Sequence, residues 1–186
     1  MVAGPPLDGR VPRGQTEPVI RLAKVADIPA LRLLEVAAGR AFARVGMEAV
    51  AGHEALPAEE LLEYQRDGRA WVTADEEDRP IAYLIALWVD GVVHVEQVSV
   101  DPAAAGHGFG AALIEHVAGW ARDHGSPALT LTTFAEVAWN APYYERLGFR
   151  RLADGELSPG LRAIRAGEAA HGLDEWPRLA MRRDLH

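Results

Sequence analysis

The chain has 186 residues, 49% apolar and 25% charged, a globular balance that rules out wholesale disorder. Its net charge of −8 argues against a nucleic-acid or anionic-membrane partner, either of which needs a basic footprint. Cysteine is absent, which removes disulfides, thiolate zinc sites and any covalent cysteine intermediate. The apolar runs are far shorter than the roughly 20 residues a membrane span requires. MVAGPPLDGR also lacks an apolar signal core, so a soluble, cytoplasmic protein is expected.

Residues 1–17, with Pro5, Pro6, Pro12 and several glycines, read as a flexible N-terminal tail, and one domain is expected over 18–186. VIRLAKV alternates as a first strand over 18–25. Asp27 then stands as an N-cap, with Pro29 in the first turn of a helix reaching about Ala43. The stretch 44–56 has no clear periodicity, and Pro57 opens a short helix carrying Leu61, Leu62 and Tyr64. Strands at 70–75, 80–88 and 92–100 follow, the last two joined by Asp90-Gly91, a hairpin dipeptide. From Gly108 to His124 an amphipathic helix places Leu113, Ile114, Val117, Trp120 and Ala121 on one face. A strand at 128–133, a helix at 138–147, a strand from Phe149, a helix at 161–170 and a strand at 178–184 complete the pattern. An antiparallel meander followed by β-α-β-α-β predicts an α/β (α+β) fold with a mixed sheet, rather than a doubly wound one.

Three features carry candidate chemistry. Val93 and Val95 share one face of the third meander strand, but Val98 and Val100 fall in the opposite phase. A β-bulge near Glu96–Gln97 would return them to the core face, leaving His94 and Glu96 two apart on the polar one. Next, Ala105-Gly106-His107-Gly108-Phe109-Gly110-Ala111 lies between this strand and the amphipathic helix. Glycines there let backbone N–H groups approach a diphosphate at a helix N-terminus. Gly106-x-Gly108-x-x-Ala111 also matches the dinucleotide fingerprint, so a Rossmann-like NAD protein stays open. Against it, the loop follows a meander, and the next strand ends in Thr132-Thr133-Phe134 without the expected acidic residue. Third, in WNAPYYERLGF Gly148 ends a short helix and Tyr144 presents an aromatic hydroxyl beside the crossover.

Together, VSVDPAAAGHGFGAALIEHV and WNAPYYERLGF resemble the GNAT superfamily of acyl-CoA-dependent N-acyltransferases, over about Val19 to Leu185. The resemblance implies a bulged strand and a loop of the form Gln/Arg-x-x-Gly-x-Gly/Ala that holds coenzyme A pyrophosphate on backbone amides. Gly108 and Gly110 match, while Ala105 stands where Gln or Arg is usual. Through it Val98 and Val100 are implied to pair with the pantetheine arm. Gly106, His107, Gly108, Gly110, Ala111 and Asn140 are implied around the remainder of the cofactor. Tyr144 falls on the tyrosine near the CoA sulfur, and Glu96 or His94 on the strand that often carries a base.

The implied activity is N-acetyl transfer from acetyl-CoA to an amine, more naturally of a small molecule, by direct attack in a ternary complex with no metal. Acetylation of a protein N-terminus or lysine, and a non-catalytic module that senses acyl-CoA, are the alternatives. A homodimer through the C-terminal strand is compatible with this reading. A lysine-like amine titrates near 10.4, so making it nucleophilic at neutral pH costs about 4–5 kcal/mol and calls for a base. The departing thiolate, with a pKa near 8.5, benefits from a proton without requiring one.

Overall fold

The computed structural model describes residues 18–186, so the tail expected at 1–17 lies outside the described residues. Its strands are β1 (Val19–Leu22), β2 (Ala70–Ala74), β3 (Pro80–Val89), β4 (Val92–Val100), β5 (Ala128–Phe134), β6 (Arg150–Arg151) and β7 (Arg178–Asp184). The helices are α1 (Ile28–Gly39), α2 (Glu48–Ala51), α3 (Ala58–Arg66), α4 (Phe109–Asp123), α5 (Ala141–Arg146) and α6 (Pro159–Ala170). The strands form one sheet in the order β1-β2-β3-β4-β5-β7-β6. β1 to β4 are an antiparallel meander, β4 and β5 are parallel across α4, and β7 lies antiparallel between β5 and β6. This is the expected mixed sheet, and its antiparallel meander is incompatible with a doubly wound dinucleotide fold.

Successive residues of β2 and β3 enter different cores. Trp71, Ala82, Leu84 and Ala86 pack with Leu113, Ile114, Val117 and Ala121 of α4, whereas Val72, Tyr83 and Ile85 pack with Leu31 and Leu34 of α1 and Leu61 of α3. The meander is therefore covered on both faces, which explains its nearly unbroken apolar runs. Trp120 sits at the margin of the first core, its ring 5.1 Å from that of Trp71. Among the described residues, no helix is long and apolar enough to cross a membrane.

The bulge forms where the valine phases conflict. Ile85 pairs with Gln97 and Ala86 with Val95, so Glu96 has no partner on β3. That extra residue places Val98 and Val100 against the same core as Val93 and Val95.

Other expectations needed adjustment. Asp27 stands at the N-cap position of α1, but its side chain does not cap the helix: its backbone is helical (φ −77°), its carboxylate accepts from the Lys24 N–H at 2.8 Å, and it pairs with Arg21 at 2.7 Å. The first helix is α-helical only to Gly39 and tightens into a 3-10 segment over Arg40–Val45. The helix expected at 138–147 is confined to 141–146, with Pro142 in its first turn. The strand after Phe149 is only two residues long. The start of α6 is tied to the β3–β4 turn, where the Gly160 N–H donates to the Asp90 carboxylate at 2.7 Å. A Cβ on Gly160 would stand 2.5 Å from Val89 Cγ1, so glycine permits this approach.

Candidate active site

β4 and β5 pair only from Val93↔Leu129 to Val95↔Leu131, although β5 continues to Phe134 and β4 to Val100. Past the bulge they separate and open a cleft of about 1100 Å³. Backbone parity identifies what faces it. The Val93 N–H points toward the β5 side, donating to Ser126 Oγ at 2.9 Å, while that of Asp101 points to β3, donating to the Ile81 carbonyl at 2.9 Å. Alternation inward from each end, with one residue inserted at Glu96, turns the N–H groups of Val98 and Val100 toward the opened edge.

The glycine loop closes one end of the cleft. Asp101 shapes its start by accepting from the Ala103 N–H at 2.8 Å. Gly106 (φ 83°) and Gly108 (φ 80°) then take left-handed conformations, and α4 begins at Phe109. The N–H groups from Gly106 to Ala111 have no acceptor among the described residues. A Cβ placed on Gly106 or Gly108 would meet nothing within 4 Å. A run of free donors at the positive end of a helix, with open space before it, fits a diphosphate. His107 belongs to the loop but turns from the cleft, stacking on Phe109 (ring centroids 5.8 Å apart) with Nδ1 3.2 Å from the carbonyls of Ala104 and Ala105.

Glu96 stands on the bulge at the cleft wall, its side chain retaining 37% exposure. Burial of its carboxyl and the negative charges of Glu168 and Glu60 push its pKa up, with Arg178 opposing them. His94 lies behind it, 1% exposed, with Nδ1 3.0 Å from Thr130 Oγ1 and Nε2 4.0 Å from Glu96. Burial holds its pKa at about 4, so if His94 were the base its activity limb would lie near pH 4 rather than near the ordinary 6.5 of histidine.

This depression has a consequence for stability. A histidine bound neutral in the fold and titrating near 6.5 once unfolded withdraws stability as pH falls from 6.5 toward 4, by about 3 kcal/mol at roughly 1.36 per unit. Urea unfolding at pH 7 and pH 4.5 should therefore show a smaller acid loss for His94→Gln than for the parent chain. Equal losses would refute the depressed pKa.

Tyr144 is buried at the cleft floor, and its hydroxyl donates to no group among the described residues. Burial, then the neighbouring Tyr143, raises its pKa, so the hydroxyl keeps its proton. Asn140 does not line the cleft: its amide donates to Thr133 Oγ1 at 2.8 Å, and its Oδ1 is buried without a partner. The structure thus gathers Glu96, Val98, Val100, Gly106, Gly108, Gly110, Ala111 and Tyr144 around one cleft, and leaves His94, His107 and Asn140 outside its lining.

The other half of the cleft carries residues that no motif announced. Glu168 on α6 accepts from Arg178 at 2.7 and 3.2 Å and also bonds Thr132 and Arg165. Burial pushes its carboxyl up, but Arg178, Thr132 and Arg165 together outweigh that and hold it below the usual range. Arg178 also covers the Phe134 ring, 4.4 Å from its centroid. Phe42 meets Phe134 at 5.4 Å and Trp139 at 5.7 Å between ring centroids. Phe42 of the 3-10 segment, Val50 and His53 of the stretch without clear periodicity and Leu173 after α6 line this half, while Met47 is buried behind them against Phe134 and Val137. A carboxylate, an unpartnered hydroxyl and outward N–H groups on a splayed strand can together receive a proton, give one and steady negative charge on an oxygen.

Comparisons with known proteins agree with this geometry. Residues 32–149 match the sequence model of the Acetyltransferase (GNAT) family. The amino-acid acetyltransferase of Mycobacterium tuberculosis is 27% identical over 143 residues, covering 73% of this chain and 70% of that protein. A Mycobacterium tuberculosis structure in complex with CoA and the ligand NLQ has a similar fold, with a TM-score of 0.65 at 20% identity over 91% of this chain and 100% of that one. So does the ribosomal-protein-S18-alanine N-acetyltransferase of Escherichia coli, with a TM-score of 0.63 at 17% identity over 90% of this chain and 93% of that one.

Proposed function

The chain belongs to the GNAT acetyltransferase family, and from that premise we propose that it moves an acetyl group from acetyl-CoA to the amine of a small molecule. The observation that carries the reading is the run of free N–H groups from Gly106 to Ala111, facing open space at the end of the cleft where β4 and β5 part. These groups and the N-terminus of α4 would hold the diphosphate, and the outward N–H groups of Val98 and Val100 would pair with the amide-bearing arm. Acetyl-CoA, when bound, supplies an acetyl group activated as a thioester.

Glu96 takes a proton from the acceptor ammonium, directly or through a water, and leaves a neutral amine for direct attack. The Val98 N–H steadies negative charge on the carbonyl oxygen. Tyr144 offers its hydroxyl to the departing sulfur. His94, neutral above a pKa of about 4, backs Glu96 without adding charge.

A narrower reading has its own observation. Arg40 and Arg44 line the same cleft and pair with no carboxylate among the described residues. This favours an acceptor that brings its own carboxylate, consistent with the amino-acid acceptors named for the mycobacterial relative.

Thermal melting tests the core of the proposal. Acetyl-CoA at a hundred times its Kd should stabilise the fold by about 2.7 kcal/mol, with NAD causing no shift. Gly108→Val puts a branched residue at a left-handed position (φ 80°) and fills the space before the helix, so it should abolish the acetyl-CoA shift. A full shift in that variant would remove the loop from the cofactor site. Thiol release with an amine panel then reads transfer itself.

A further inference from the structure

We infer that the acceptor carries an aromatic ring, seated against Phe42 and Trp139, with its amine reaching Glu96. The inference rests on the acetyl-transfer reading above and specifies its acceptor.

Phe42 comes from the 3-10 segment after α1 and Trp139 from the turn before α5, so their contact is made by the tertiary fold rather than by chain proximity. Their rings meet at 59° with centroids 5.7 Å apart. Trp139 nevertheless remains 41% exposed while lining the cleft. Phe134 completes the wall from behind, but Arg178 already covers its ring face at 4.4 Å. It is therefore a backing, and Phe42 and Trp139 provide the open surface. Val50 and Leu173 flank that surface and extend it with aliphatic carbon. A third ring set at 4.5–7 Å from these two, edge-on or offset, gains contact beyond simple burial.

The polar side of the same cleft indicates which end of the acceptor lies opposite. Glu168 is taken up by Arg178, Arg165 and Thr132. Glu35 accepts from Tyr83 at 2.9 Å and from the Leu56 N–H at 3.2 Å. Glu96 and Glu54 accept no hydrogen bond among the described residues, and of the two it is Glu96 that stands on the strand whose edge is open. An ammonium held there and a ring held by Phe42 and Trp139 satisfy both sides of the cleft.

The test compares four acceptors in two matched pairs, phenethylamine with ethylamine and phenylalanine with alanine, at saturating acetyl-CoA with thiol release as the signal. Within each pair the ring-bearing acceptor should show a kcat/KM at least about tenfold higher, expressed mainly in KM. Trp139→Ala and Phe42→Leu should each shrink that ratio severalfold, and Trp139→Phe should largely keep it. The acetyl-CoA melting shift of each variant reports whether its fold and cofactor site persist. Turnover with a ratio near one in both pairs, or a ratio unmoved by both Phe42→Leu and Trp139→Ala, overturns this inference alone. Silence from every amine overturns it together with small-amine transfer, whereas loss of the acetyl-CoA shift in the parent chain overturns the cofactor reading.

Discussion

Replacing Glu96 with glutamine should lower kcat/KM by about 10²–10⁴ while leaving the acetyl-CoA melting shift in place, since the amide keeps the shape of the side chain and loses its basicity. The pH profile makes the prediction specific. Burial and neighbouring carboxylates raise the pKa of Glu96, so its proton-accepting form is lost as pH falls through a value above the usual carboxylate one. The parent chain should therefore show an acidic limb displaced upward from the ordinary glutamate range, and the glutamine variant should lack it. His94 cannot supply that limb, because its own transition lies near pH 4. Near-parental kcat/KM in Glu96→Gln, with the limb intact, would transfer the proton to water alone. A limb near or above 7 is tested by changing the acceptor: if it follows the basicity of the amine, it belongs to the substrate.

Tyr144→Phe should lower kcat by about 10², the cost of one well-placed donor, with little change in unfolding free energy. The small structural effect follows from the hydroxyl having no hydrogen bond to lose among the described residues. The modest catalytic effect follows from its raised pKa. Moving the proton fully from this phenol to a thiolate with a pKa near 8.5 is uphill, so the hydroxyl serves the leaving sulfur chiefly as a hydrogen-bond donor. An unchanged kcat would return Tyr144 to the role of a core aromatic packed on Phe149, whose ring lies 5.9 Å away.

Half of this site was legible before folding because it is local in the chain. The valine phase on β4 demands a bulge, Gly106 and Gly108 permit the left-handed backbone they adopt, and α4 declares its buried face by period, so Glu96, the loop and the free donors follow from short stretches. What such stretches do not reveal is side-chain direction within them. Asn140 and His107 sit among cleft residues, yet Thr133 captures the amide of the first and the loop's own carbonyls attract the ring of the second. The acceptor half was illegible for a different reason. Thr132, Glu168 and Arg178 are separated by 36 and 10 residues and meet only because β7 lies beside β5 under α6. Phe42 and Trp139 fall in stretches expected to be helical, but α1 ends at Gly39 and α5 begins at Ala141, and nothing local shows that the residues left outside meet as a cleft wall.

The tether at the start of α6 bears on how the enzyme would accommodate acceptors of different size. Asp90 holds one end of this helix to the β3–β4 turn, and Arg178 holds Glu168 near the other end to β7. With the close fit of Gly160 on Val89, the helix behaves as a stationary jaw. The opposing jaw runs through the 3-10 segment and α2, a four-residue helix lying between Gly46 and Gly52, with Glu48 and Ala49 exposed and Val50 and Ala51 half-buried. Met47 is buried against Phe134 and Val137, but among the described residues no side-chain hydrogen bond ties 40–52 to the rest of the fold as Asp90 and Arg178 tie α6, so adjustment of fit falls to this segment. Selectivity could then be retuned by substitutions over 40–56 without disturbing the carboxylate on the bulge or the donors of the glycine loop.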